Sequence, residues 1–188
     1  PHRFSLEVNI SMATTRIIPM HIIKGQSVAY TVHERLDYAM NPDKTRGGEL
    51  VISYGCDKVT AAAEMLLTKR NYTAFTGKAT TPKDVLLYQI RQSFKPGEIT
   101  PEQAQEIGYE LAMRFTKGRH QFIVATHIDQ EHIHTHIIYS SINIDGTRKF
   151  RDFLGSGRAV RKISDRLCLE HGLSIVEHPK NGNKHYGK

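Results

Sequence analysis

The chain of 188 residues has only two cysteines, Cys56 and Cys168. They lie far apart and in no metal-binding spacing. That speaks against a thiolate site and fits a reduced, cytoplasmic setting in which both act as small apolar residues. No apolar run approaches the length of a transmembrane span. No segment has the charged, apolar, small-residue order of a signal peptide, so membrane insertion is not expected. The H-E-x-x-H signature of zinc hydrolases is missing, and the expected helices offer no paired metal histidines. Internal repeats and low-complexity tracts are also missing. With 39% apolar residues, the length allows one sizeable domain and hardly two.

Positive charge is in excess: 26 Lys and Arg against 19 Asp and Glu, a net +7. Such an excess often marks a phosphate-rich partner, although an ordinary solvated basic surface would look the same by composition. Histidine is also abundant, at 11 residues.

Along the chain, strand and helix patterns alternate. Residues 1–11 lead into no clear element and are expected to be an added leader. Residues 12–178 carry the pattern of one folded domain. Residues 179–188, "PKNGNKHYGK", read as a polar tail that starts a linker to a further region. Strands are expected at 15–23, 49–56, 85–94, 120–128 and 132–143, with a last short one in "LSIVEH". Pro19 argues for an edge position or a bend in the first strand. Helices are expected at 27–41, 60–72, 100–115 and 157–172. The third is the clearest: Thr100 can cap it, Pro101 suits its first position, and Gln103 completes a capping box. The sum is an α+β fold, a mostly antiparallel five-stranded sheet flanked by helices, with 120–143 as a central hairpin.

"HIDQEHIHTH", residues 127–136, holds four histidines. Strand side chains alternate faces, so His132, His134 and His136 point the same way. If the turn 128–131 counts as even, His127 sits opposite His132 and all four share one face. Phe122, Val124, Ile133 and Ile137 then face the other side. A slip of one residue would reverse this. Three neutral imidazoles suit a borderline divalent ion and leave coordination positions open for a substrate oxygen. Asp129 is expected behind them, as the acceptor that fixes a histidine tautomer. The bland alternative is a histidine-rich surface strand without an ion.

"HIDQEHIHTHIIYSSIN" resembles the three-histidine motif of conjugative DNA relaxases of the mobilisation-nuclease type (VirD2-like, MobP-type). These have the histidine-hydrophobe-histidine (HUH) endonuclease fold. The family's offsets fall on His127, Asp129, His134 and His136, which implies His127, His134 and His136 as metal ligands and leaves His132 as an extra histidine. "LDYAMNPDKT", residues 36–45, is similar to the segment that carries the family's catalytic tyrosine, here Tyr38. Ala39 stands where an isoleucine is often seen. "QSFKPGEITPEQAQEIGYELA", "DGTRKFR" and "ISDRLCLEHGLSIVE" resemble later parts of the same domain, so the likeness covers most of residues 14–178.

The resemblance implies a bacterial, cytoplasmic enzyme that nicks single-stranded DNA at an origin of transfer. Tyr38 would attack the scissile phosphorus and stay joined to the 5′-phosphate. A phenol with pKa near ~10 is a poor nucleophile at neutral pH. A divalent ion, manganese or magnesium, can offset this by neutralising charge on the phosphate. Accessory relaxosome proteins and a type IV secretion coupling protein are the further partners implied. DNA contacts are expected from Lys44 and Arg46 after the tyrosine, Ser93 and Lys95 in the middle motif, and Arg148, Lys149, Arg151 and Arg158 after the histidines. The N-terminus of the last helix, between Gly155 and Gly157, could receive a phosphate. Phe150 and Phe153 could stack on bases or be core. Two other readings stay open. One is a rolling-circle replication initiator of the same fold, although such initiators place their tyrosine on a helix after the histidines, and 157–172 has none. The other is a DNA-binding module whose metal is only structural.

Overall fold

The computed structural model describes residues 13–177, so the expected leader and tail lie outside the described residues. In chain order the elements are β1 (Thr14–His21), α1 (Val28–Ala39), β2 (Val51–Tyr54), α2 (Ala61–Thr76), β3 (Val85–Ser93), α3 (Pro101–Thr116), β4 (His120–His127), β5 (His134–Asn143) and α4 (Ser156–Glu170). The five strands form one sheet in the order β1-β3-β5-β4-β2, and every neighbouring pair is antiparallel. This is the expected α+β architecture. Pro19 sits on β1, an edge strand, the position in a sheet where proline is tolerated. The segment "LSIVEH" adds no full strand among the described residues; it makes a single parallel bridge, Ile175 to Ala13.

Alternation along the strands sends two apolar sets to opposite faces. Phe122, Val124, Ile137, Tyr139 and Ile90 pack under α3 and α4, around Ile107, Leu111, Val160 and Leu167. Ile123, Ala125, Leu87 and Ile138 pack under α1 and α2, around Val32, Leu36, Ala39 and Met65. α3 starts with the expected capping box: the Thr100 hydroxyl accepts from the Gln103 amide, and the Gln103 side chain accepts from the Thr100 amide. α3 also comes unusually close to the sheet. A Cβ on Gly108 would stand 2.6 Å from Thr135 Cγ2 and 3.0 Å from Val124 Cγ1, so only glycine fits this contact.

β5 begins at His134, two residues later than its pattern suggests. Residues 129–132 form bends, and His127 pairs with His134 instead of His132. The connection remains even in length, so the faces are those expected. His127, His134 and His136 share the α1/α2 face with Ile123 and Ile138.

Candidate metal centre

The sheet brings the end of β4 beside the start of β5. One ring nitrogen from each of His127, His134 and His136 lies within 4.8 Å of the others. All three residues are buried, with ring centroids 4.1 to 5.1 Å apart. His132 lies outside this group. Its ring is half-buried in the bend, 5.5 Å from that of His134 between centroids.

Each imidazole is oriented by a hydrogen bond on one nitrogen. His127 Nε2 donates to the Ala39 carbonyl at 2.7 Å. His136 Nδ1 donates to Gln89 Oε1 at 3.2 Å. His134 Nδ1 faces the His132 carbonyl at 3.4 Å, so the extra histidine contributes its backbone. These bonds place the protons and leave lone pairs on His127 Nδ1, His134 Nε2 and His136 Nε2. His136 Nε2 is buried with no hydrogen-bond partner. Burial pushes the His134 imidazole down to about 4 and that of His136 to about 3, with the neighbouring histidines adding to both shifts. Burial lowers His127 as well, against its bond to Ala39. All three are therefore neutral at physiological pH, the form that binds a cation. The donor set fits a divalent ion with open positions.

The Ala39 bond corrects the expected part of Asp129. The bend after β4 carries Asp129 to Lys44, 3.5 Å away, and the acceptor for His127 is instead an end carbonyl of α1. Such carbonyls lack an intrahelical donor and carry the negative end of the helix dipole, so an imidazole N–H suits them. The contact ties the histidine cluster to the residue next to Tyr38.

Tyr38 itself is 59% exposed and opens into a groove of about 620 Å³. Gln89, Arg91, His136 and Arg35 line the same groove, with β1 on its far side. The segment after Tyr38 is held by its own bonds. Asn41 Oδ1 accepts from the Asp43 amide, and the Asn41 carbonyl accepts from Thr45 Oγ1, both at 2.9 Å. The Lys44 carbonyl accepts from the Ile128 amide at 3.0 Å, fastening the turn to the exit of β4. Lys44 Nζ then stands 4.9 Å from the centre of the Tyr38 ring.

The other expected DNA contacts are dispersed. Ser93 is opposite His134 in the β3–β5 ladder, and Lys95 follows it closely. Arg46 is paired with Glu102. Lys149 bridges to Ile142, which puts Arg148, Lys149 and Arg151 at the opposite end of β5 from the histidines. Arg158 belongs to α4, on the other face of the sheet. Proximity in the chain does not bring them to the cluster, because β5 carries the chain away from it, about 20 Å over six residues at ~3.3 Å each. Phe150 is packed among Tyr88, Phe115 and Tyr139, while Phe153 is exposed. The cation that sequence reasoning missed is Arg91, directly across from His136, whose Nε is buried and unpartnered. Alternation in "YQIRQS" puts Gln89, Arg91 and Ser93 on one face. Which face that is depends on pairing with a strand more than forty residues later.

Comparison with known proteins gives a consistent result. A sequence model of the family described as "Relaxase: MobA/VirD2-like, nuclease domain" matches residues 38–173. The group II intron-interrupted relaxase LtrB of Lactococcus lactis is 34% identical over 180 residues, covering 79% of this chain and 32% of that protein. A protein rlx of Staphylococcus aureus is 41% identical over 90 residues, covering 48% of this chain and 28% of its own length. The chain thus spans about a third of the length of the curated relatives it matches. A manganese-bound crystal structure of the MobM relaxase domain with plasmid pMV158 oriT DNA shares the fold. Its TM-score is 0.63 at 12% identity, over 95% of both chains. Among the described residues no helix is long and apolar enough to cross a membrane.

Proposed function

Because this chain belongs to the MobA/VirD2-like relaxases and spans their nuclease domain, we propose that it nicks single-stranded DNA at an origin of transfer and so starts mobilisation of a bacterial plasmid or integrative element. The observation that carries this reading is the shared groove: Tyr38, Arg91 and His136 line one space, and His136 Nε2 is buried behind it without a hydrogen-bond partner.

Tyr38 is the nucleophile. Its phenolic oxygen attacks the scissile phosphorus in line as the phenolic proton passes to water. The bond from phosphorus to the 3′-oxygen breaks, and that oxygen takes a proton to become a free 3′-hydroxyl. The 5′-phosphate remains esterified to Tyr38, so the bond energy is kept and the strand can be rejoined. His127, His134 and His136 would hold a divalent ion, manganese or magnesium, which would supply Lewis acidity toward the phosphate oxygens. Arg91 reaches the same phosphate from β3, and its half-buried position strengthens that attraction. Lys44 holds the Tyr38 ring, and Asp129 holds Lys44; Asp129 is a positioning residue. Ser93 and Lys95 extend the path of the strand past His134. The reaction takes place in the cytoplasm, with relaxosome proteins and a secretion coupling protein as further partners.

The test is incubation of the protein with Mn²⁺ and a single-stranded origin oligonucleotide, followed by a denaturing gel. A covalent adduct that disappears in Tyr38→Phe and on chelation supports the reading. An adduct that survives in Tyr38→Phe overturns the nucleophile. No adduct with any candidate origin favours a module that only binds DNA.

A further inference from the structure

At the other end of the sheet lies a second cleft, of about 550 Å³. Five cations line it: Lys69, Lys78, Lys83, Lys149 and Arg151. Only two carboxylates face them, Asp84 and Asp152, and Asp84 is taken by Lys149 at 2.6 Å. Lys69 is the unusual member. It projects from α2 and is only 9% exposed, yet among the described residues its ammonium has no hydrogen-bond or ion-pair partner. Lysine is rarely buried without a partner, because desolvating an ammonium is costly. Here burial, and next the charge of Lys149, hold the Lys69 pKa below its usual value, against the opposing charge of Asp84. A recess lined by five cations and two carboxylates, with one ammonium outside any ion pair, is complementary to an oxyanion.

We propose that this cleft is a second phosphate site, which takes a backbone phosphate of the bound DNA strand remote from the nick. That the phosphate belongs to DNA rests on the function proposed above; the anion chemistry does not. Lys149 in this cleft is bridged to Ile142, about 20 Å from His136 by the rise of six strand residues. A stacked strand advances about 3.4 Å per nucleotide, so about six stacked nucleotides separate the nick from this contact. Long origin strands would reach it and short ones would not. Lys149 and Arg151, which are far from the histidines, thereby acquire a function there.

Two measurements test the site. The first is thermal melting of the whole chain as inorganic phosphate replaces chloride at constant ionic strength. Wild type gains more stability than Lys69→Met, whereas the general stabilisation by phosphate is common to both. The second is the affinity for two oligonucleotides centred on the nick, one reaching three nucleotides to either side and one reaching fifteen. Lys69→Met and the exposed pair Lys78→Ala with Lys83→Ala bind the long strand more weakly. One lost phosphate contact costs about fivefold at 0.1 M salt, given a single-strand slope of about 0.7 per contact. The short strand is bound equally by all. Equal affinity for the long strand in every variant overturns the DNA assignment, even if phosphate still protects wild type. An equal gain from phosphate in wild type and Lys69→Met overturns the site itself. If wild type forms no covalent adduct with origin DNA, the functional reading fails instead, and the melting experiment still decides whether the site exists.

Discussion

Gln89→Leu probes the metal centre without touching a proposed ligand. Gln89 Oε1 accepts the Nδ1 proton of His136 at 3.2 Å, and that bond directs the Nε2 lone pair of the ring into the cluster. Leucine has a similar volume and no acceptor. The buried Nδ1–H is left unpaired, at about 1–3 kcal/mol, or its proton moves to Nε2 and blocks the lone pair. Either outcome weakens metal binding. Outer partners of this kind are worth about 10- to 100-fold in affinity, or about 1.4–2.7 kcal/mol. Calorimetric titration with Mn²⁺, and melting with and without the ion, separate this loss from a general loss of fold. Gln89→Glu, which keeps an acceptor and adds charge, binds at least as tightly as wild type. Affinity within about twofold of wild type in a folded Gln89→Leu would refute the tautomer argument.

Removing a ligand is more severe. His134→Ala or His136→Ala loses Mn²⁺ affinity by more than the ~100-fold upper value for an outer partner, while His132→Ala stays near wild type because its carbonyl remains; equal losses at all three contradict the ligand set. Gly108→Ala destabilises the fold by about 1–3 kcal/mol in urea, because the new Cβ meets Thr135 Cγ2. Adding Thr135→Ser, which removes that methyl, restores part of the loss; a Gly108→Ala protein as stable as wild type contradicts the packing. The metal-free protein loses stability on acidification. His134 and His136 titrate near 4 and 3 when folded, below the usual histidine value. Their contribution is thus fully present above about pH 6.5 and lost as the pH falls toward those values. A melting temperature that is flat from pH 7 to pH 5 counts against it.

The sequence was most legible where local rules decide. Capping at Thr100, the period of β4 and β5 and the Pro19 edge all follow from neighbours within a few residues. The histidine face was readable for the same reason. What could not be read depended on distant pairing. The bends at 129–132 moved the start of β5 and gave His127 a different partner. The acceptor for His127 came from a helix carbonyl 88 residues away. Arg91 joined the groove only through the crossing of β3 beside β5. Conversely, Arg148, Lys149 and Arg151 looked adjacent to the histidines because sequence distance conceals the length of a strand. The resemblance between residues 36–45 and a tyrosine-bearing segment gave no geometry. The structure supplies it through the Asn41 turn and the Lys44 carbonyl bond to β4.

The central claim is that Tyr38 forms the bond to DNA, and the most direct measurement is the mass of the linked peptide. Trypsin cuts after Arg35 and Lys44, and the peptide 36–44 contains one tyrosine, Tyr38. After nuclease digestion of the covalent adduct, fragmentation should place a nucleotide 5′-phosphate on that residue. A nucleotide on any other peptide, such as the one carrying Tyr30, would contradict the account.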